Sequence, residues 1–243
     1  MIINVEKFKK LLQKSTVNYS IETVQINLDK EKICSNMISS ANDVIAILKV
    51  DNDILPEIKG EIQFNFNDPV SEILPFLNLI EGETVIKVDE EKIVLLTGQQ
   101  TSKIYFCAPQ IVSVFDRSEP KFNFSVFNTI NVDNDLSSAF DKVKKIGIKF
   151  GKIYFGMDKG KFYIETSDKT NKFSNGFRVN LGEVKYNDMS MCFDYKNIVN
   201  LMTVIEGRKF SIEYFYLKEH SLGMIRAFDE NNSENYYLMS KKE

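Results

Sequence analysis

An amphipathic helix feeding a β-hairpin recurs four times along this chain, and that recurrence limits the fold more than any other feature. The clearest copy spans residues 135–166. Leu136, Ala139, Phe140, Val143 and Ile146 fall at helical spacing and give one apolar face, while Lys142, Lys144 and Lys145 lie on the rest of the surface. Gly147 is a stop signal. Residues 152–156 and 161–166 follow as strands rich in aromatic and β-branched residues, joined by a turn over 157–160.

The other copies place a helix at 5–14 before strands near 22–28 and 33–38, a helix at 71–80 before 84–88 and 93–97, and a helix at 194–205 before 209–217 and 222–228. Three of the turns read Asp-x-x-Lys-apolar, beginning at Asp29, Asp89 and Asp158; the fourth, 217–222, does not. Asp and Gly are common in hairpin turns, so the weight lies in the repetition behind a helix each time. Pro75 falls inside the second helix, where it removes a backbone donor and clashes with the preceding turn, so that helix is expected to be kinked or shortened.

Further strands are expected over 44–50, 62–67, 103–108, 110–115, 122–132, 177–179, 189–193 and 236–239. Periodicity stops at Arg117-Ser118-Glu119-Pro120, the best linker, which divides the chain into halves 1–117 and 118–243. Each half holds two helices and many strands joined mostly by short turns. That predicts an α+β fold with helices on one face of antiparallel sheets, duplicated about a pseudo-twofold axis.

Composition narrows the function. The 243 residues carry a net charge of −3, which favours neither nucleic acid nor membrane globally, so any basic function must come from local clustering. The N-terminus has no signal-peptide core, and no apolar run is long enough to cross a bilayer. Cys34, Cys107 and Cys192 are widely spaced with no CxxC, which reads as reduced thiols in the cytoplasm; the single His220 has no partner at ligand spacing, so no metal or cofactor is implied. The glycines of 151–160 flank a strand rather than opening a helix, so they form a hairpin and not a phosphate loop. The acidic runs 51–53 and 229–232 read as exposed turns. No nucleophile–base constellation can be assembled, and the chain is not expected to be an enzyme.

In the order and spacing of these motifs the chain resembles the sliding clamps, the processivity factors of DNA polymerases. The residues that carry the likeness are 72–79 with the hairpin 83–97, Ile104-Tyr105-Phe106-Cys107-Ala108-Pro109 closing the first half, 135–145 with 151–166, and Asn235-Tyr236-Tyr237-Leu238 as a closing strand. The likeness is nearest to the clamps of T-even-like tailed phages, with proliferating cell nuclear antigen more distant. It departs from the family at Pro75 and in a shorter segment between the halves. The resemblance implies a DNA-clamp fold and a head-to-tail homotrimer. The ring would encircle duplex DNA non-specifically, have a clamp loader as a partner and tether the replicative polymerase in the host cytoplasm. No catalysis and no membrane are involved.

Two sets of site residues follow. Lys7, Lys9, Lys10 and Lys14 on the first helix, Lys142 and Lys145 on the third and Lys196 on the fourth lie opposite the apolar stripes, where cations meet phosphate without reading bases. Lysine on a helix surface is also an ordinary solvated face, and the fourfold repeat favours the DNA reading. The second helix has no cation. The family's partner groove, beside the linker between the two domains, maps onto Met37, Ile111, Val112, Val114, Phe115, Leu222, Tyr237 and Met239. Ser240 replaces the family's proline after the closing strand. The groove's chemistry suits varied peptides, although strand residues of these types usually fill a core. For assembly, the expected edges are 73–88 or 103–108 in the first half and 173–181 in the second. The competing reading is a β-rich phage structural or carbohydrate-binding protein, which would not be expected to repeat basic amphipathic helices at matching places.

Overall fold

The computed structural model describes residues 1–117, 119–120, 126–131, 134–169, 175–183, 189–217 and 222–241. The chain divides into two compact units, Met1–Pro120 with Ser233–Asn235, and Lys121–Asn232 with Tyr236–Glu243. In the first lie β1 (Ile2–Ile3), α1 (Val5–Ser15), β2 (Thr23–Leu28), β3 (Lys32–Ile38), β4 (Val44–Asp51), β5 (Ile62–Asn67), α2 (Pro69–Glu72), α3 (Leu74–Leu77), β6 (Thr84–Val88), β7 (Lys92–Thr97) and β8 (Gln100–Tyr105). In the second lie β9 (Val126–Asn131), α4 (Asn134–Gly147), β10 (Lys152–Asp158), β11 (Lys161–Thr166), β12 (Phe177–Glu183), β13 (Met189–Asp194), α5 (Tyr195–Ile205), β14 (Phe210–Leu217), β15 (Leu222–Asp229) and all of β16 (Glu234–Met239) but its first two residues.

The repeating element is thus longer than helix and hairpin: it is a strand, a helical segment and three strands, present four times. In each copy the leading strand leaves its own hairpin and joins the sister copy's sheet. The first unit has sheets β1-β6-β7-β8 and β5-β2-β3-β4; the second has β13-β10-β11-β12 and β9-β14-β15-β16.

Helix α1 forms where the sequence places it. The Asn4 side chain accepts from the Lys7 amide at 3.1 Å, Glu6 lies in the first turn and Lys14 in the last, matching the helix dipole. Val5, Phe8, Leu11 and Leu12 are buried, with the Phe8 ring edge-on to Phe64 and Phe66 at centroid distances of 6.3 and 6.2 Å. No glycine ends this helix. Val17, Asn18 and Tyr19 take φ of 44, 45 and 84°, and the Asn18 amide reaches back to the Gln13 carbonyl at 2.8 Å. Left-handed backbone is unfavourable for side-chain-bearing residues, above all a β-branched one.

The helix expected at 71–80 is instead two short turns, α2 and α3, meeting at Ile73. Pro75 cannot donate to the Ser71 carbonyl, so the helix breaks there. Two other expectations fail. Strand β8 ends at Tyr105 rather than reaching 108, and 110–115 is no strand: Pro109–Ile111 is a 3-10 turn, and only Val114 bridges, to Met37. The three Asp turns also divide. Asp29 Oδ1 accepts the Glu31 and Lys32 amides, both at 2.7 Å, and Asp89 Oδ1 accepts those of Glu91 and Lys92 at 2.9 and 2.8 Å. The third turn uses positive φ at Lys159 and Gly160, the geometry of a type I′ hairpin, and Asp158 accepts from Arg178 instead.

In the second unit Leu136, Ala139, Phe140 and Val143 are buried, whereas Ile146, expected on the same face, is exposed. Tyr214 of β14 lies 5.7 Å from Phe155 and 4.9 Å from Phe162, tying the unit's two sheets together. Ser118, residues 122–125 and 132 of the strand expected over 122–132, positions 173–174 of the second expected edge, and the fourth turn with His220 lie outside the described residues.

Candidate nucleic-acid and partner surfaces

The lysines of α1 do not share one environment. Lys7 Nζ lies 2.6 Å from Asp53 Oδ2, and Lys9 Nζ lies 2.6 Å from Glu6 Oε1, the Lys9 side chain being only 13% exposed. Lys14 Nζ lies 2.7 Å from Glu234 Oε1, a carboxylate only 5% exposed. Lys10 is exposed and forms no ion pair among the described residues.

Helix α4 differs. Lys142, Lys144 and Lys145 are exposed and without an ion pair among the described residues. The end of this helix is fixed by Tyr195, whose hydroxyl donates to the Lys144 carbonyl at 2.9 Å and whose amide donates to the Gly151 carbonyl at 3.1 Å. Asp194 caps α5, accepting from the Lys196 amide at 2.9 Å and from Lys241 Nζ at 2.8 Å. Burial raises the Asp194 carboxyl, but Lys241 and the helix amides outweigh it and hold it below the ordinary aspartate range. The first turn of α5 carries no acid, and Lys196 stands exposed at the positive end of the dipole, where a cation is disfavoured unless an anion visits. No cation lies on α2 or α3.

The mapped groove residues fall into two groups, one in each unit. In the first unit, 112–115 runs beside the end of β3: the Ile38 amide donates to the Ser113 carbonyl at 3.2 Å and the Phe115 amide to the Asn36 carbonyl at 2.9 Å. This brings Met37, Val112, Val114 and Phe115 together, next to Ile111. Met37 and Val112 are buried; Ile111 and Val114 are exposed and Phe115 is half-buried. In the second unit Tyr237 is buried, while Leu222 and Met239 are half-buried. The Gly223 amide donates to Ser240 Oγ at 2.6 Å. Met37, Val112 and Tyr237 therefore belong to cores, and the accessible members are Ile111, Val114, Phe115, Leu222 and Met239.

Strand β8 ends one sheet of the first unit, and β12 ends one sheet of the second. The alternative edge over 73–88 is corrected: β6 is flanked by β1 and β7. Beside β8 an open groove of about 690 Å³ is lined by Ser71, Phe76, Lys103 and Tyr105 among others, with Phe76 56% and Tyr105 61% exposed. Sequence reasoning missed these two aromatics as surface residues; the only signal was their position outside the apolar periodicity. On β12, Arg178 stacks 3.8 Å over the Tyr163 ring and pairs with Asp158 at 3.0 Å and Glu165 at 2.7 Å. Burial raises the Glu165 carboxyl, yet the Ser167 hydroxyl and Arg178 hold it below the usual glutamate range.

No protein-family model and no curated protein sequence matches the chain. Solved structures do. A. fulgidus PCNA bound to the C-terminal region of FEN-1 superposes with a TM-score of 0.63 at 17% identity, covering 100% of this chain and 98% of that one. The PCNA2–PCNA3 complex of Sulfolobus tokodaii gives 0.65 at 12% identity, over 100% and 98%. The DNA polymerase III subunit beta of Pseudomonas aeruginosa gives 0.66 at 16% identity, over 100% of this chain and 66% of that longer one. The chain has the sliding-clamp fold. Within that clamp fold, the four-copy topology places a helical segment in every copy, and lysines without an acid partner among the described residues occur on α1, α4 and α5. No helix among the described residues is long and apolar enough to cross a membrane.

Proposed function

We propose that this chain is the subunit of a DNA sliding clamp. Copies join head to tail into a homotrimeric ring that encircles duplex DNA and holds a replicative polymerase to it, with no bond made or broken. The observation that carries the reading is the clamp fold combined with exposed lysines, without an ion pair among the described residues, on the helix faces opposite the buried stripes. Phosphate contact of this kind is non-specific and permits sliding. Assembly is read from two terminal strands: β8, whose Tyr105 lies in the groove with Phe76, meets β12 of a neighbouring copy, so unlike surfaces join and these two edges are paired in the ring.

Polymerase and loader peptides are assigned to Ile111, Val114, Phe115, Leu222 and Met239. The A. fulgidus clamp, which carries the C-terminal region of FEN-1, offers a parallel for such capture. The nearer kinship with phage clamps rests on the order of sequence motifs.

Light scattering tests the assembly: about three times 28.1 kDa is expected, and a stable monomer at high concentration refutes the ring. For the groove, a C-terminal peptide of the cognate polymerase is titrated against wild type and the Leu222→Ala, Met239→Ala double variant. Weaker binding by an intact assembly supports the assignment, and equal affinity places the partner elsewhere.

A further inference from the structure

The two helices richest in lysine differ in how their charge is held. On α1, Lys7, Lys9 and Lys14 each lie within 2.7 Å of a carboxylate oxygen, from Asp53, Glu6 and Glu234 respectively. Two of those carboxylates come from distant parts of the chain, 46 and 220 residues away. On α4, Lys142, Lys144 and Lys145 have no such partner among the described residues, and Lys196 of α5 is likewise exposed and unpaired. A phosphate that recruits an ion-paired lysine must displace the carboxylate, and the counterion release that drives DNA association is correspondingly lost. For Lys14 the exchange would leave a carboxylate only 5% exposed without its partner.

We infer that the electrostatic footprint on DNA is carried unequally: Lys142, Lys144, Lys145 and Lys196 hold the duplex, Lys10 adds the one cation of α1 with no ion pair among the described residues, and Asp53, Glu6 and Glu234 silence the rest of α1. Asp53 and Glu6 thereby set the grip of the clamp, a restraint suited to a protein that slides. Lys14 is a structural counter-ion. The inference rests on the proposal that the chain binds duplex DNA.

The experiment is the salt dependence of binding to a labelled duplex, read by fluorescence anisotropy for the full chain and its variants. Each phosphate contact contributes about 0.9 to the slope of log K against log salt. Lys142→Ala with Lys145→Ala is expected to lower the slope by about 1.8, two contacts' worth, whereas Lys7→Ala with Lys9→Ala leaves it unchanged. Asp53→Asn with Glu6→Gln is expected to steepen the slope, and adding Lys7→Ala and Lys9→Ala to that variant returns it to the wild-type value. If Lys7→Ala with Lys9→Ala costs as much slope as the α4 pair, or if freeing those lysines changes nothing, the silencing is wrong. If no lysine on either helix moves the slope, DNA binding by these faces fails, and with it the proposed function on which the inference stands.

Discussion

The Tyr195 hydroxyl donates to the carbonyl of Lys144 at 2.9 Å, so the first residue of α5 closes the last turn of α4, the turn that bears Lys144 and Lys145. A carbonyl at a helix C-terminus has no partner within the helix. Tyr195→Phe removes only that donor and is expected to destabilise the protein by about 1 kcal/mol. Hydrogen exchange at residues 148–151 should quicken more than elsewhere in the same unit. Uniform exchange across the unit would show that the bond does not hold the helix end.

Charge reversal at Lys142 and Lys145 is expected to weaken clamp-dependent synthesis with little cost in stability, below about 0.5 kcal/mol, because both side chains are exposed. Primer extension on a long template, beside a thermal melt, separates the two effects. Unchanged processivity removes these residues from the site.

Tyr105→Asp puts a charge on the free edge β8, next to the groove that holds Phe76. It should shift the light-scattering mass from that of the proposed trimer toward monomer while the circular dichroism spectrum stays unchanged. An unaltered mass would place the subunit contact at another edge.

Acid should loosen the first unit through its turns. The backbone amides of Lys32 and then Glu31 hold the Asp29 carboxyl below its ordinary value, and those of Glu91 and Lys92 do the same for Asp89. A depressed carboxylate stabilises fully above the unfolded-state value of 3.8, and that contribution disappears as pH falls through the lower folded value. The urea midpoint should therefore fall below about pH 4, and Asp29→Asn with Asp89→Asn should flatten this part of the profile. A profile with the same slope in the double variant would assign the acid sensitivity to other groups.

Tyr19 is exposed and sits at φ 84°, the last of three left-handed residues after α1. Tyr19→Gly relieves that backbone and is expected to raise stability by up to about 1 kcal/mol. A lower melting temperature would mean that the tyrosine's own contacts outweigh the strain.

The sequence announces what depends on near neighbours. Phe8, Leu11 and Leu12 at helical spacing, the Asn4 cap and the Asp29 and Asp89 turns are all local, and they appear where expected. Pro75 declared the weakness of its helix through its missing donor. Expectation and structure part where several backbones suit the same residues: 110–115 is rich in β-branched and aromatic residues like a strand, yet Pro109 starts a 3-10 turn and the segment makes one bridge. They part again where the partner is far away in the chain. Nothing around Lys14 points to Glu234, 220 residues on, and nothing around Lys7 points to Asp53. The lysine counts, four on α1 and three on α4, therefore hide an opposite order of availability. Of the four leading strands only the first escaped notice, for a related reason: Ile2–Ile3 is too short for any period, and its pairing to β6 lies some eighty residues downstream.

Because β1 is built into the sheet of the second copy and β5 into that of the first, the two copies in the first unit are interlocked rather than stacked. A protease that opened the loop between β4 and β5 would not release a quarter of the molecule. Each fragment would keep a strand inside the other's sheet, and the nicked halves would stay together until denatured. The same exchange in the second unit, β13 beside β10 and β9 beside β14, gives it the same resistance. Fragments expressed separately would have to find each other before either had a finished sheet.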